Sequence, residues 1–241
     1  VKIQLELGGK NPAIVLNDDD LTDAADQIAR GAMFSTGQRC TATSRVYVQK
    51  DVADRFTELL LARINALTVG DPFSEATDIG PLASIDQRDT VASYLDLARA
   101  DGARVLLGGG IDEIGCFVEP TVLTGVPDVS RLWSEEIFGP VLVLAEVDDY
   151  ASALAAANDS DFGLSASVFT SDIGVALDFA RRMESGLVHV NRETASVEPH
   201  VPFGGIKASS SMQREQGKAA RAFFTTTKTV YVRSPPPHRI S

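Results

Sequence analysis

Ala13-Ile14-Val15-Leu16-Asn17-Asp18-Asp19-Asp20-Leu21-Thr22-Asp23-Ala24-Ala25-Asp26-Gln27-Ile28-Ala29 reads as a short apolar strand, an acidic turn and the start of a helix. The run Ala13 to Leu16 is strand-like, and the acidic turn Asn17-Asp18-Asp19-Asp20 suits a helix N-terminus. Leu21, Ala24, Ala25, Ile28, Ala29 and Ala32 then recur at helical spacing. The same unit repeats outward along the chain. Arg45 to Gln49 (strand) precedes Val52 to Leu67 (helix), and Arg88 to Ala100 (helix) precedes Val105 to Leu107 (strand). Val141 to Val147 precedes Tyr150 to Asn158, Ser165 to Phe169 precedes Ile173 to Met183, and Leu187 to Asn191 closes the series. Strands alternating with helices in this way predict an α/β layered fold with a largely parallel sheet.

The two ends read differently. Ile3, Leu5 and Leu7 alternate at period two and stop at Gly8-Gly9, which predicts a strand belonging to something upstream; no basic or apolar leader precedes it. At the other end, Gln213 to Phe223 reads as a helix. Thr225 to Val232 reads as a β-branched strand closed by Pro235-Pro236-Pro237, an arm for another domain or subunit.

Composition bounds the function. The 241 residues suffice for a large core without disulfide or metal staples, and no apolar run reaches membrane-spanning length. With 33 acidic against 22 basic residues the formal charge is -11, which repels phosphate backbones and acidic lipid, so neither nucleic acid nor membrane is an expected partner. Cys40 and Cys116 are the only cysteines, and no CxxC or His cluster suggests zinc, so no metal site is expected and a reducing cytoplasm is.

Ser35-Thr36-Gly37-Gln38-Arg39-Cys40-Thr41-Ala42-Thr43-Ser44-Arg45 places Cys40 in a polar helix-to-strand connection. Its small neighbours leave the sulfur reachable, and loop amides with Arg39 or Arg45 are expected to favour the thiolate. The alternative is a buried structural cysteine, and that bland reading suits Cys116, expected at the start of a strand. No histidine is a convincing partner: His189 lies in an apolar strand, His200 follows a proline, and His238 is in the tail. A Cys-His hydrolase is therefore poorly supported. Glu6, just before Leu7-Gly8-Gly9, sits where glycine permits close approach of a ligand; taken alone, it reads first as a solvated strand-end side chain. Gly108-Gly109-Gly110 lacks the spacing of a phosphate-binding turn and reads as a loop.

Four ordered segments carry a resemblance. Glu6-Leu7-Gly8-Gly9-Lys10 and Gly37-Gln38-Arg39-Cys40 resemble the two signature segments of the aldehyde dehydrogenase superfamily, at that family's spacing. Glu135-Glu136-Ile137-Phe138-Gly139-Pro140 resembles its cofactor-ribose motif, and Pro202-Phe203-Gly204-Gly205-Ile206-Lys207 its late active-site motif. The resemblance implies a three-layer αβα catalytic domain over 10–208, preceded by the end of a cofactor-binding domain at 1–9. It implies that 209–241 form a C-terminal helix and oligomerisation strand, in a homodimer or homotetramer. The segments that bind adenosine and pyrophosphate normally lie upstream of Glu6, so the chain alone is expected to be an inactive fragment.

The resemblance further implies that Cys40 attacks an aldehyde and that the oxyanion is held partly by the Cys40 backbone N–H. Hydride then passes to NAD or NADP, and Glu6 activates the water that hydrolyses the thioester. Glu136 and Phe138 would contact the nicotinamide ribose, Leu7 and Gly8 the ring, and Phe203 the substrate channel, with Arg39 and Thr41 beside the nucleophile. Asn191-Arg192-Glu193-Thr194-Ala195-Ser196-Val197-Glu198-Pro199-His200-Val201-Pro202-Phe203, with Ser209-Ser210-Ser211-Met212-Gln213-Arg214-Glu215, resembles the subgroup oxidising α-ketoglutaric semialdehyde. Arg192 is then a candidate anchor for the substrate carboxylate; its alternative is a surface pair with Glu193 or Glu198. Two other functions compete: a non-catalytic, oligomerising remnant of the same fold, and a cysteine thioesterase or acyltransferase without redox chemistry.

Overall fold

The computed structural model describes residues 2–17, 20–112, 115–211 and 213–234; Asp18, Asp19, Met212, the Pro235-Pro236-Pro237 run and His238 lie outside the described residues. In chain order, β1 (Asn11–Val15) leads to α1 (Leu21–Met33), a 3₁₀ turn at Phe34–Gly37, β2 (Thr43–Gln49) and α2 (Lys50–Asn65). Next come α3 (Ile85–Ala100), β3 (Arg104–Leu107), β4 (Thr121–Thr124), the single-turn α4 (Arg131–Ser134) and β5 (Val141–Val147). Then follow α5 (Tyr150–Asn158), β6 (Phe162–Gly163), β7 (Ser165–Phe169), α6 (Ile173–Arg182), β8 (Leu187–Val190), β9 (Ile206–Lys207) and α7 (Gly217–Phe224).

Seven strands form one sheet in the order β3-β4-β5-β2-β1-β7-β8, and β6 pairs with β9 apart from it. Every pairing in the large sheet is parallel except β3 with β4, so the expectation of a largely parallel sheet holds. The central strands β1, β2, β4, β5 and β7 are largely buried on both faces, whereas the edge strands β3 and β8 are not, and side-chain alternation sorts the central ones. Ala13, Val15, Val46, Val48, Leu142 and Leu144 face a core with Ile28, Ala29, Phe56 and Leu60 of α1 and α2. Their neighbours Ile14, Tyr47, Ala166 and Val168 face Leu154 and Phe179 of α5 and α6, while Val141 and Val143 face Val91 and Leu95 of α3. The result is the three-layer arrangement.

Local chemistry explains the element ends. Asp20 caps α1 by accepting from the Thr22 and Asp23 N–H groups at 2.9 and 3.3 Å, the role expected of that acidic turn. Asp149 and Ser152 form a reciprocal capping box at α5. Pro12, which cannot donate to a ladder, is tolerated in central β1 because the register shifts between Asn11 and Pro12.

Both terminal strands expected from the pattern are absent, for one reason: a strand needs a partner along its length. Residues 2–7 make only an isolated bridge, Glu6 with Ser210, and Ile3, Leu5 and Leu7 remain exposed. Thr225 to Val232 has no ladder, and Val230, Tyr231 and Val232 are exposed. The expected helix at 213 starts only at Gly217, because Phe203 and Glu215 exchange both backbone hydrogen bonds and hold the preceding residues extended. Cys116 lies in a bend rather than a strand, packed beside the Leu82 and Val91 cluster.

Candidate active site

Cys40 stands at the end of a braced loop. Ser35, Thr36 and Gly37 have left-handed φ values of 55, 57 and 64°. A Cβ on Gly37 would lie 2.2 Å from the Gly139 carbonyl oxygen, so glycine here lets the loop close against the Glu136–Pro140 segment. Thr36 Oγ1 donates to the Gly80 carbonyl at 3.1 Å, and Gln38 Oε1 accepts from the Ala83 N–H at 2.9 Å. Beyond the sulfur, Asn11 Nδ2 donates to the carbonyls of Cys40 and Ala42 at 2.9 and 2.8 Å, and Thr194 Oγ1 donates to that of Thr41 at 2.8 Å. The loop therefore rests on β1 and on the turn after β8.

The thiol is half-buried and unpaired. Burial raises its pKa most, the charges of Glu136 and then Glu6 raise it further, and the backbone N–H groups of Thr41 and Cys40 act in the opposite direction. This corrects the expectation that Arg39 or Arg45 favours the thiolate. Arg45 is instead a buried strut of β2: it donates to the Lys10 carbonyl at 2.9 Å, Tyr47 Oη at 3.1 Å, and the Ala156 and Ala157 carbonyls at 3.3 and 3.0 Å. The resting form is the neutral thiol, with two carboxylates near enough to repel its charged form.

The two carboxylates are held differently. Glu6 Oε1 accepts from Gln4 Nε2 at 2.7 Å, and its Oε2 accepts from Ser210 Oγ at 2.6 Å. Glu136 Oε1 accepts from the Gly9 N–H at 3.0 Å, and its carboxylate lies over Gly8. Gly8 has φ +106°, and a Cβ there would come within 2.2 Å of Glu136 Oε2, so only glycine fits. Burial raises the Glu136 pKa, opposed by the Gly9 N–H and by Lys10. Lys10 is wholly buried, its Nζ has no hydrogen-bond partner among the described residues, and its pKa falls to about 7. Burial is the main cause and Arg45 adds to it, while Glu136 and Glu135 pull the other way.

The remaining candidates divide into two places. Arg39 and Phe138 line a small pocket with Gly9, Gly37 and Glu136, while Leu7, just before Gly8-Gly9, stands exposed and does not line it. Thr41 is buried, as is Phe203. Arg192 pairs with Glu198 at 3.1 Å and, with Phe203 and His189, lines a cleft of about 290 Å³. Burial, then Arg192, lowers the His189 pKa to about 4, leaving it neutral. Residues that the sequence reading passed over are Asn11, Lys10, Gln4 and, as a contact of Glu6, Ser210. Asn11 and Lys10 were signalled only as polar side chains flanking a buried strand.

Comparison with known proteins fits this geometry. A model of the aldehyde dehydrogenase family matches residues 1–230. The alpha-ketoglutaric semialdehyde dehydrogenase of Bacillus subtilis is 48% identical over 237 residues, covering 96% of this chain and 49% of that protein. The alpha-ketoglutarate semialdehyde dehydrogenase of Haloferax volcanii is 45% identical over 236 residues, covering 95% of this chain and 48% of that protein. Betaine aldehyde dehydrogenase of Staphylococcus aureus, solved in complex with NAD+, superposes with a TM-score of 0.87 at 37% identity, covering 91% of this chain and 44% of that one. The chain thus spans about half the length of the curated relatives it matches.

Proposed function

The chain belongs to the aldehyde dehydrogenase family, and on that premise we propose that it carries the nucleophile and the base of an NAD(P)-dependent aldehyde oxidation. The observation that carries the proposal is one thiol flanked by two carboxylates, of which one is tethered at both oxygens and the other is drawn against bare backbone.

Cys40 attacks the aldehyde carbon. Because burial and the neighbouring carboxylates raise its pKa, Cys40 meets the aldehyde as the thiol, and its proton passes to solvent as the C–S bond forms. The oxygen of the resulting thiohemiacetal is stabilised partly by the Cys40 backbone N–H. Gly8, Glu136 and Phe138 suit a nicotinamide cofactor: the Glu136 carboxylate now covers Gly8 and has one oxygen outside the Gly9 bond, so on moving off it could accept from ribose hydroxyls and leave a glycine without a side chain facing a flat ring. When bound, that cofactor supplies the two-electron oxidant that takes hydride from the carbon. Glu6 then accepts a proton from the water that attacks the Cys40 thioester, releasing the acid and restoring the thiol.

For substrate, we propose a small semialdehyde such as α-ketoglutaric semialdehyde, the activity named for both relatives above. Phe203, Arg192 and Glu198 share a cleft in which a substrate carboxylate could replace Glu198 on the Arg192 guanidinium beside an apolar wall. The exposed Val230, Tyr231 and Val232 suit assembly of a homodimer or homotetramer. The decisive test is Cys40→Ala in the protein at its full encoded length, which should lose both aldehyde oxidation and ester hydrolysis. Oxidation retained by that variant contradicts the proposal.

A further inference from the structure

The three consecutive serines Ser209, Ser210 and Ser211 are not interchangeable. Ser209 Oγ accepts from the Gly163 N–H at 2.9 Å and so ties the segment to β6. Ser211 Oγ accepts from the Leu5 N–H at 3.0 Å and donates to Gln4 Oε1 at 3.3 Å. Backbone bonds from the Leu7 N–H to the Ser209 carbonyl at 2.8 Å, and from the Ser211 N–H to the Leu5 carbonyl at 3.0 Å, strap the two segments together. Ser210, between them, turns toward the carboxylate.

Ser210 Oγ accepts from the Gly205 N–H at 2.7 Å. A hydroxyl has one hydrogen, and with its oxygen already receiving a backbone donor, that hydrogen is directed to Glu6 Oε2 at 2.6 Å. Gln4 holds the other oxygen at 2.7 Å. Each carboxylate oxygen keeps a free lone pair, so the tether fixes the plane of the group without consuming its capacity to accept a proton from water. The Gly205 end is itself secured, since Arg214 Nη1 donates to the Gly205 carbonyl.

We propose that Ser210 is a positioning residue for Glu6: anchored on the Gly205 N–H, its hydroxyl holds the Glu6 carboxylate in the orientation that activates the deacylating water. The inference rests on Glu6 being the base, as proposed above. Ser210 keeps its proton throughout and touches neither substrate nor cofactor. Its effect therefore belongs to thioester hydrolysis and leaves the attack of Cys40 unaltered.

The experiment uses the full-length protein and p-nitrophenyl acetate. Release of p-nitrophenolate in the first turnover reports acylation of Cys40, and the steady phase reports hydrolysis. Ser210→Ala should keep the initial burst rate and slow the steady phase about tenfold, the usual scale for losing a hydrogen bond to a charged group. Ser210→Thr, which retains the hydroxyl, should restore it. The inference is overturned by a steady phase that Ser210→Ala leaves unchanged or accelerates, by burst and steady phase falling together, or by a Thr variant that behaves like Ala. Glu6→Gln separates the two levels. If it leaves the steady phase intact, the base assignment itself fails; if it slows that phase while Ser210→Ala does not, only the role of Ser210 fails.

Discussion

The two carboxylates whose charges reach Cys40 are held on opposite principles. On one side Glu6 is tethered at both carboxylate oxygens by side chains, Gln4 and Ser210, from segments at the two ends of the chain. On the other, Glu136 has one backbone donor, sits against a residue without a side chain, and has its pKa raised by burial. A tether selects one geometry, which suits a group that must aim a water molecule; a single bond over open backbone suits a group that must trade partners when a ligand arrives. The difference supports the division proposed above, hydrolysis on the Glu6 side and ligand binding on the Glu136 side.

Substitution tests that division, and the largest separation is expected at Glu6. Glu6→Gln should slow steady turnover by about 10²–10⁴-fold, the range for loss of a general base, while a burst of reduced cofactor survives in rapid mixing. Unchanged steady-state kinetics would break the comparison. Glu136→Gln should act on the other side. We expect the apparent affinity for nicotinamide cofactor to weaken about 10–100-fold, with hydrolysis of p-nitrophenyl acetate, which requires no oxidant, nearly unaffected. A parallel loss of ester hydrolysis would show that the two sides share one role.

A third effect, read on stability rather than on rate, concerns Lys10, whose charge acts on Glu136. Its folded pKa of about 7 is below the ordinary 10.5, so between those values the unfolded chain holds a proton that the folded chain has released. Stability should therefore gain from Lys10 as pH rises from about 7 to 10.5, by at most about 1.4 kcal/mol per pH unit. Lys10→Met should abolish that rise, measured by urea unfolding across the window. It should also push the Glu136 pKa further up, since Lys10 now holds it down. A variant with the parent's pH slope would contradict the burial of Lys10.

Periodicity alone revealed the middle of the molecule. The segments Tyr150–Asn158 and Ser165–Phe169 are found with the bounds their patterns predict, because a core face imposes its period on the residues that build it. The short β4 and α4 went unseen, since four residues are too few to display a period. The ends read as strands meant for partners elsewhere, and Ile3, Leu5 and Leu7 alternate as expected yet have no neighbouring strand among the described residues over which to pair. Cys40 and Glu6 were visible as candidates because glycines and small polar residues surround them. The contacts that tune them were not. Ser210 lies 204 residues from Glu6 in sequence, and nothing local marks Lys10 or Arg45 as buried cations rather than surface ones.

Trapping the acyl intermediate tests the account most directly. Glu6→Gln, at full encoded length, would be mixed with a semialdehyde and nicotinamide cofactor, quenched in acid, digested, and its cysteine peptides weighed by mass spectrometry. The account predicts an acyl adduct on Cys40 that accumulates in this variant and stays scarce in the parent protein. An adduct on Cys116, or an unmodified Cys40 while acid is still produced, would contradict it.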